Sequence, residues 1–199
     1  MQADPYAPPT ASVDGLTPQE VASGGLRYPT FWRRLGALLI DSLLVAPLFF
    51  LNYSFGTTAS ALIYLAVFGQ ILGLFMGVVM VRQYGGGPGK LLLGVRVVMT
   101  DGSRVTLTAA LLRYSVMCAL GLALTIGMII AASALPQDSF ASLGFAQRSA
   151  AMAGNMPAWA TPLQWVSNLW YLGCLIAFFV SKQHRVLHDF IAGTVVVHK

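Results

Sequence analysis

Charge is what this sequence has least of. Lys, Arg, Asp and Glu together make up 10% of 199 residues, against 56% hydrophobic residues. A soluble domain of this size carries nearer a quarter charged, so the scarcity excludes an ordinary water-soluble fold and points to an integral membrane protein. Only seven residues are acidic, which makes paired-carboxylate catalysis hard to assemble. Cysteine is nearly absent. Cys118 and Cys174 both lie in apolar runs and read as small packing residues, not as a disulfide. The first thirty residues hold no apolar core long enough for a secretory signal. They are rich in Pro, Ala, Ser and Gly, and residues 1–27 are expected to be a disordered cytoplasmic tail. The net charge of +5 comes with no basic helix or basic–aromatic surface, so nucleic acid is not an expected partner.

Long apolar runs, by contrast, are abundant. Four are long enough to cross about 30 Å of hydrocarbon as helices: residues 35–51, 59–81, 114–135 and 163–180. Pro47 lies inside the first and is expected to bend it, which membrane helices tolerate. Eleven of the twelve Lys and Arg residues fall before the first run, between the second and third, or after the fourth. The positive-inside rule then predicts an all-α, four-span, N-in/C-in membrane protein of residues 28–199, with a cytoplasmic loop 82–113 and a C-terminal tail 181–199. Phe31 and Trp32 suit the inner interface, Trp159 and Trp165 the outer one. A short interfacial helix is expected after Pro136 and Asp138, near residues 139–151.

The first run is the unusual one. It carries Asp41, and Arg34 precedes it by seven residues. At about 100° per residue the two lie roughly 20° apart around a helix and about 10.5 Å apart along it. They share a stripe but are too far apart to pair directly. A charge at that depth costs roughly 2.5–3.5 kcal/mol on insertion scales, so Asp41 needs company: Arg113 at the mouth of the third span, a water chain, or a cation. Asp189 is expected at the cytoplasmic rim, holding Arg34 from outside.

Other motifs carry less. Gly69, Gly73 and Gly77 form a small-residue stripe on the second span, expected to pack within the bundle, with a homodimer seam as the alternative. Gln70 adjoins it and can bond across to a neighbour. In the cytoplasmic loop, residues 84–90 read as a flexible lead-in. An apolar run then meets Asp101-Gly102 and the alternating residues 104–107, which predicts a β-hairpin between the second and third spans. The β-branched run 195–197 can pair with that hairpin as a small sheet. The glycines of 85–90 do not make a phosphate loop: Tyr84 stands where the first glycine belongs, and Leu91 replaces the magnesium-holding hydroxyl. His184 and His188, four apart, lack the further ligands of a metal site and read as solvated residues. No metal, cofactor or enzymatic activity is expected.

Three blocks together resemble the RDD family of small bacterial membrane proteins, named for one arginine and two aspartates. They are FWRRLGALLID, then GPGKLLLGVRVV followed by DG and ALLR, and LHDFIAGTVVV. The resemblance spans about residues 28–197 and leaves out the outer loop. It implies Arg34 as the arginine, with Asp41 and Asp189 as the aspartates. For some members it implies exchange of sodium or lithium for protons, in a bacterial inner membrane. Two functions follow as expectations. One is movement of a cation or small solute through Asp41, tuned by Arg34, with an oligomer expected because four helices enclose little room. The other is a non-transporting scaffold, in which Arg34, Arg113, Asp41 and Asp189 form a structural clasp and the cytoplasmic loop binds a protein partner.

Overall fold

A computed structural model describes residues 27–55, 58–136, 140 and 142–198. The expected tail of residues 1–27, apart from Arg27, lies outside the described residues, as do Asp138 and Ser139. Helix α1 runs Phe31–Phe55 with Pro47 in its interior. The second span is α2, Ala59–Leu74, a π-turn, Phe75–Val79, and α3, Met80–Tyr84, closed by Gly85 at φ 81°. Glycine takes that left-handed turn without a Cβ penalty. A one-turn helix α4, Pro88–Leu92, leads to β1, Val95–Met99. Helix α5 covers Leu107–Ser133, α6 Phe145–Gly154 and α7 Ala160–Val180. The tail forms α8, Leu187–Ala192, and β2, Thr194–His198.

Among the described residues, three stretches are long and apolar enough to cross a membrane: Ser60–Leu92, Leu107–Ser133 and Ala160–Val180. Helix α1 has 25 residues and carries Arg33 and Arg34 in its first turn and Asp41 in its interior. Leu43 of α1, Ile71 of α2, Ile126 of α5 and Ile176 of α7 are each more than half exposed. Apolar surface on that scale belongs against lipid tails, not water.

The bundle is joined by small-residue contacts. A Cβ placed on Gly77 would come 2.5 Å from Cδ2 of Tyr114, and one on Gly73 would collide with the same phenol's hydroxyl. Gly69 faces Leu48. The stripe therefore seats α5 and α1 within the bundle. Gln70 Nε2 donates to Thr125 Oγ1 at 3.0 Å, across to α5.

The two strands form an antiparallel sheet in the register Val95↔His198 to Met99↔Thr194. The second strand is thus the tail and not residues 104–107. The turn itself is present: Gly102 N donates to Met99 O and Met99 N to Ser103 O, both at 2.9 Å. Thr106 then caps α5, its hydroxyl accepting from Ala109 N at 3.1 Å, so the chain enters a helix where a strand would have continued. One face of the sheet packs on Val78, Val81, Val105 and Ala109. The other gathers Val98, Val195 and Val197 under Tyr28. His198 N donates to Arg27 O at 2.8 Å, which brings both ends of the described chain together.

Candidate functional site

Residues 84–90, expected as a flexible lead-in, instead pack closely against α1 through Gly87 and Gly89. Gly87 caps α4 and Pro88 opens it, leaving the Gly89 N–H among the first-turn donors that a helix cannot satisfy internally. Asp41 Oδ1 accepts that N–H at 2.7 Å. The aspartate's first partner is thus a backbone amide from the following loop. Neither Arg34 nor Arg113 forms an ion pair with it. Two glycines are required by the approach. A Cβ on Gly87 would lie 2.9 and 3.1 Å from the Asp41 oxygens. A Cβ on Gly89 would run into the carbonyl of Ala37, which is itself wholly buried.

The second aspartate has a different setting. Asp189 is 0% exposed, well inside the rim position expected of it. Its Oδ1 accepts a hydrogen bond from Arg113 Nη1 and one from Thr194 Oγ1 at 3.1 Å. Its Oδ2 accepts from Val186 N at 3.2 Å. Arg113 Nη1 also reaches Thr194 Oγ1 at 2.9 Å, and its Nη2 lies 3.1 Å from His188 Nε2. Arginine only donates, so Nε2 is the acceptor and His188 holds its proton on Nδ1, facing Cys174 Sγ at 3.9 Å. Helix α5 begins seven residues before the apolar run at Tyr114, which carries Arg113 onto a helix and 93% out of solvent.

Arg34 stands behind this clasp. Its Nη1 is 3.9 Å from Asp189 Oδ2, and its guanidinium lies 5.1 Å over the ring of Phe178. Among the described residues its Nε and Nη2 are buried without a hydrogen-bond partner. The neighbouring Arg33 contacts His198 instead. The clasp therefore selects Arg34.

Electrostatics follow from burial. Desolvation, helped by the Arg113 charge, pushes the His188 imidazole down to about 3, so it is neutral. Burial alone would raise the Asp189 carboxyl. Arg113 and its other neighbours outweigh that, holding it below its ordinary value. Out in the turn, the Ser103 hydroxyl and N–H bonded to Asp101 lower that carboxyl too.

Asp41 and Arg113, the partner of Asp189, meet at a cavity of about 520 Å³ between α1 and α5. Asp41 and Ser42 line it from α1, Arg113, Tyr114 and Met117 from α5, Gly73, Met76 and Gly77 from the second span, and Lys90 and His188 from α4 and α8. The π-turn lies on the second-span side. Such turns occur often at functional sites. Across the clasp and cavity, three cations (Arg34, Lys90, Arg113) face two carboxylates, leaving one positive charge.

The RDD family matches residues 28–193, well over half the chain. The chain belongs to the RDD family. No curated protein matches it. Membership and the apolar helices together make this a multi-pass integral membrane protein in contact with lipid.

Sequence reasoning brought Arg34, Asp41, Arg113 and Asp189 forward as one cluster. The structure brings Arg34, Arg113 and Asp189 together and gives Asp41 to Gly89, with the cavity as the link. Lys90, His188 and Thr194 were missed. The signal for Lys90 was present in Gly-Pro-Gly-Lys, a glycine run beside a cation next to a membrane span. His188 was visible only as half of a metal pair, and among the described residues no cluster of His, Cys, Asp and Glu could hold a metal. Thr194 carried no signal at all.

Proposed function

We propose that this protein crosses the cytoplasmic membrane four times, with both termini inside, and carries a small solute through the cavity beside Asp41. Two observations support four spans. Helix α1 is long enough at about 1.5 Å per residue, and the His198–Arg27 hydrogen bond puts both ends at one side, as an even number of crossings requires. The observation that carries the transport reading is the cavity itself. Its volume falls in the range of small-molecule sites, and an intramembrane carboxylate lines it. Asp41 has one oxygen engaged by Gly89, which leaves the other to take a proton, a cation or a solute donor. The Arg113–Asp189 clasp is the fixed frame at the cytoplasmic end. Proton-linked exchange, the form the family resemblance implies, would use Asp41 as its carrier.

The test is fluorescence quenching of a pH dye in proteoliposomes, wild type against Asp41→Asn, across sodium, lithium and potassium salts. Salt-driven proton flux is expected from wild type and is lost in the variant with assembly intact. Equal flux from both would remove Asp41 from the mechanism.

A second reading has one observation in its favour. Both Arg113 donors that bond, and both Asp189 oxygens, are spent on docking the tail. A scaffold whose cytoplasmic sheet holds a protein partner would need no more. In that case Asp41→Asn lowers abundance with no flux to lose, and crosslinks from β1 trap one specific protein.

A further inference from the structure

We infer that the cavity takes an acidic amphiphile, its carboxylate or phosphate held by Lys90 and its apolar part lying along Leu38, Val45, Met76 and Met117. The inference rests on reading the cavity as a solute site and names the class of solute.

Lys90 lies on the cavity wall, within a stretch apolar enough to be a span. No described residue gives it a hydrogen bond or an ion pair. An unpaired ammonium at such depth is costly, and a cavity is where that cost is relieved, by water or by an anion. Its stem is held in place: a Cβ on Gly86 would sit 3.1 and 3.2 Å from Cβ and Cδ of Lys90, so the methylenes lie against glycine backbone.

Asp41 forms no ion pair with it: that carboxylate accepts the Gly89 N–H through Oδ1. The other cation on the wall, Arg113, is committed to Asp189, Thr194 and His188. Lys90 is thus the cation with charge to spare, in a site with one positive charge in excess. At the Lys90 end of the cavity a cation would meet Lys90 and Arg113 as repulsion. An acid meets complementary charge at one end.

The amphiphilic half follows from where the cavity opens. Leu38 lies on its rim and is 61% exposed on the bundle's outer surface. In the four-span reading that surface faces lipid tails, so an apolar chain can remain partly in the bilayer while its acid reaches Lys90.

The experiment uses the full chain in phosphatidylcholine nanodiscs, titrated with radiolabelled decanoate, with decylamine as the cationic control and inorganic phosphate as competitor. Saturable decanoate binding is expected. Lys90→Gln should weaken it at least tenfold, Lys90→Arg should stay within threefold, and Asp41→Asn should tighten it by removing the opposing charge. Size-exclusion profiles of each variant, with Lys90→Arg as the folded reference, separate lost binding from lost assembly. Displacement by phosphate would make a free anion the source. Phosphatidylglycerol retained on protein taken directly from membranes, and absent from Lys90→Gln, would make it a lipid headgroup. Decylamine binding as tightly as decanoate, or a Lys90→Gln affinity equal to wild type, would overturn the inference. Ser42→Trp fills the cavity and separates the two claims. Binding lost there but indifferent to Lys90 overturns the acid alone, whereas binding that survives Ser42→Trp overturns the cavity reading as well.

Discussion

Gly89→Ala is the substitution on which the geometry commits itself most. Its new methyl would overlap the Ala37 carbonyl, a backbone atom of α1 that cannot rotate away, and would stand 3.1 Å from Asp41 Cγ. Overpacking of a close contact costs about 1–3 kcal/mol. Moving α4 out to relieve it stretches the 2.7 Å Gly89–Asp41 hydrogen bond, and bonds to a charged group contribute about 1.5–3 kcal/mol. The two together give a loss of about 2.5–6 kcal/mol. At roughly 2–4 °C per kcal/mol for a chain of this length, the melting midpoint of the purified protein should fall by about 5–24 °C. Two alanine controls separate the contributions. Gly94 has nothing within 4 Å but sits at φ 65°, so its alanine should cost only the left-handed strain of about 1–2 kcal/mol. Gly154 has open space and ordinary backbone, so its alanine should stay within about 0.5 kcal/mol of wild type. If Gly89→Ala melts with Gly154→Ala, the contact between α4 and α1 is not as described and Asp41 is not held by the loop.

Other outcomes follow from the same contacts. Arg113→Met strips a buried carboxylate of its partner and should cost about 3–5 kcal/mol, read as rapid protease cleavage within residues 186–198. Acid should loosen the tail through His188. The unfolded imidazole titrates near 6.5 and the folded one near 3, so the unfolded chain binds the extra proton and stability falls as pH drops from 6.5 towards 3. The slope is at most about 1.4 kcal/mol per pH unit. Hydrogen exchange of β2 against pH should show that window in wild type and lose it in His188→Gln. Asp189, held below its ordinary value of 3.8, adds its own loss as pH falls below that value. Gly77→Ala and Tyr114→Ala should each destabilise. The double variant should fall short of their sum by more than about 1 kcal/mol, because the added methyl enters the space the phenol leaves.

Much of the architecture was legible because a bilayer imposes simple rules. Apolar runs of sufficient length located the helices, and the uneven spread of Lys and Arg gave an orientation to propose. The small-residue stripe on α2 and Gln70 found partners in neighbouring helices because spacing along a helix fixes its face. The sheet was half legible. The run 195–197 pairs as β-branched residues do, but the Asp101–Gly102 turn looked like a hairpin because Thr106 reads equally as strand or helix cap. The site was legible as residue types and not as pairings. A seven-residue spacing places Arg34 and Asp41 on one stripe, yet nothing along the chain says that a glycine backbone nearly fifty residues later would approach closely enough to take the aspartate. The same close approach turned a glycine run that looked flexible into a fixed contact, and left Lys90 beside a cavity with no partner of its own.

On the transport reading, the carboxylate of Asp41 serves a solute-holding cavity and is more than part of the fold's framework. Proteoliposomes of wild type and Asp41→Asn, matched for assembly and loaded with a pH dye, test it most directly. The account predicts solute-driven proton movement in wild type and none in the variant. Identical traces from the two would contradict it.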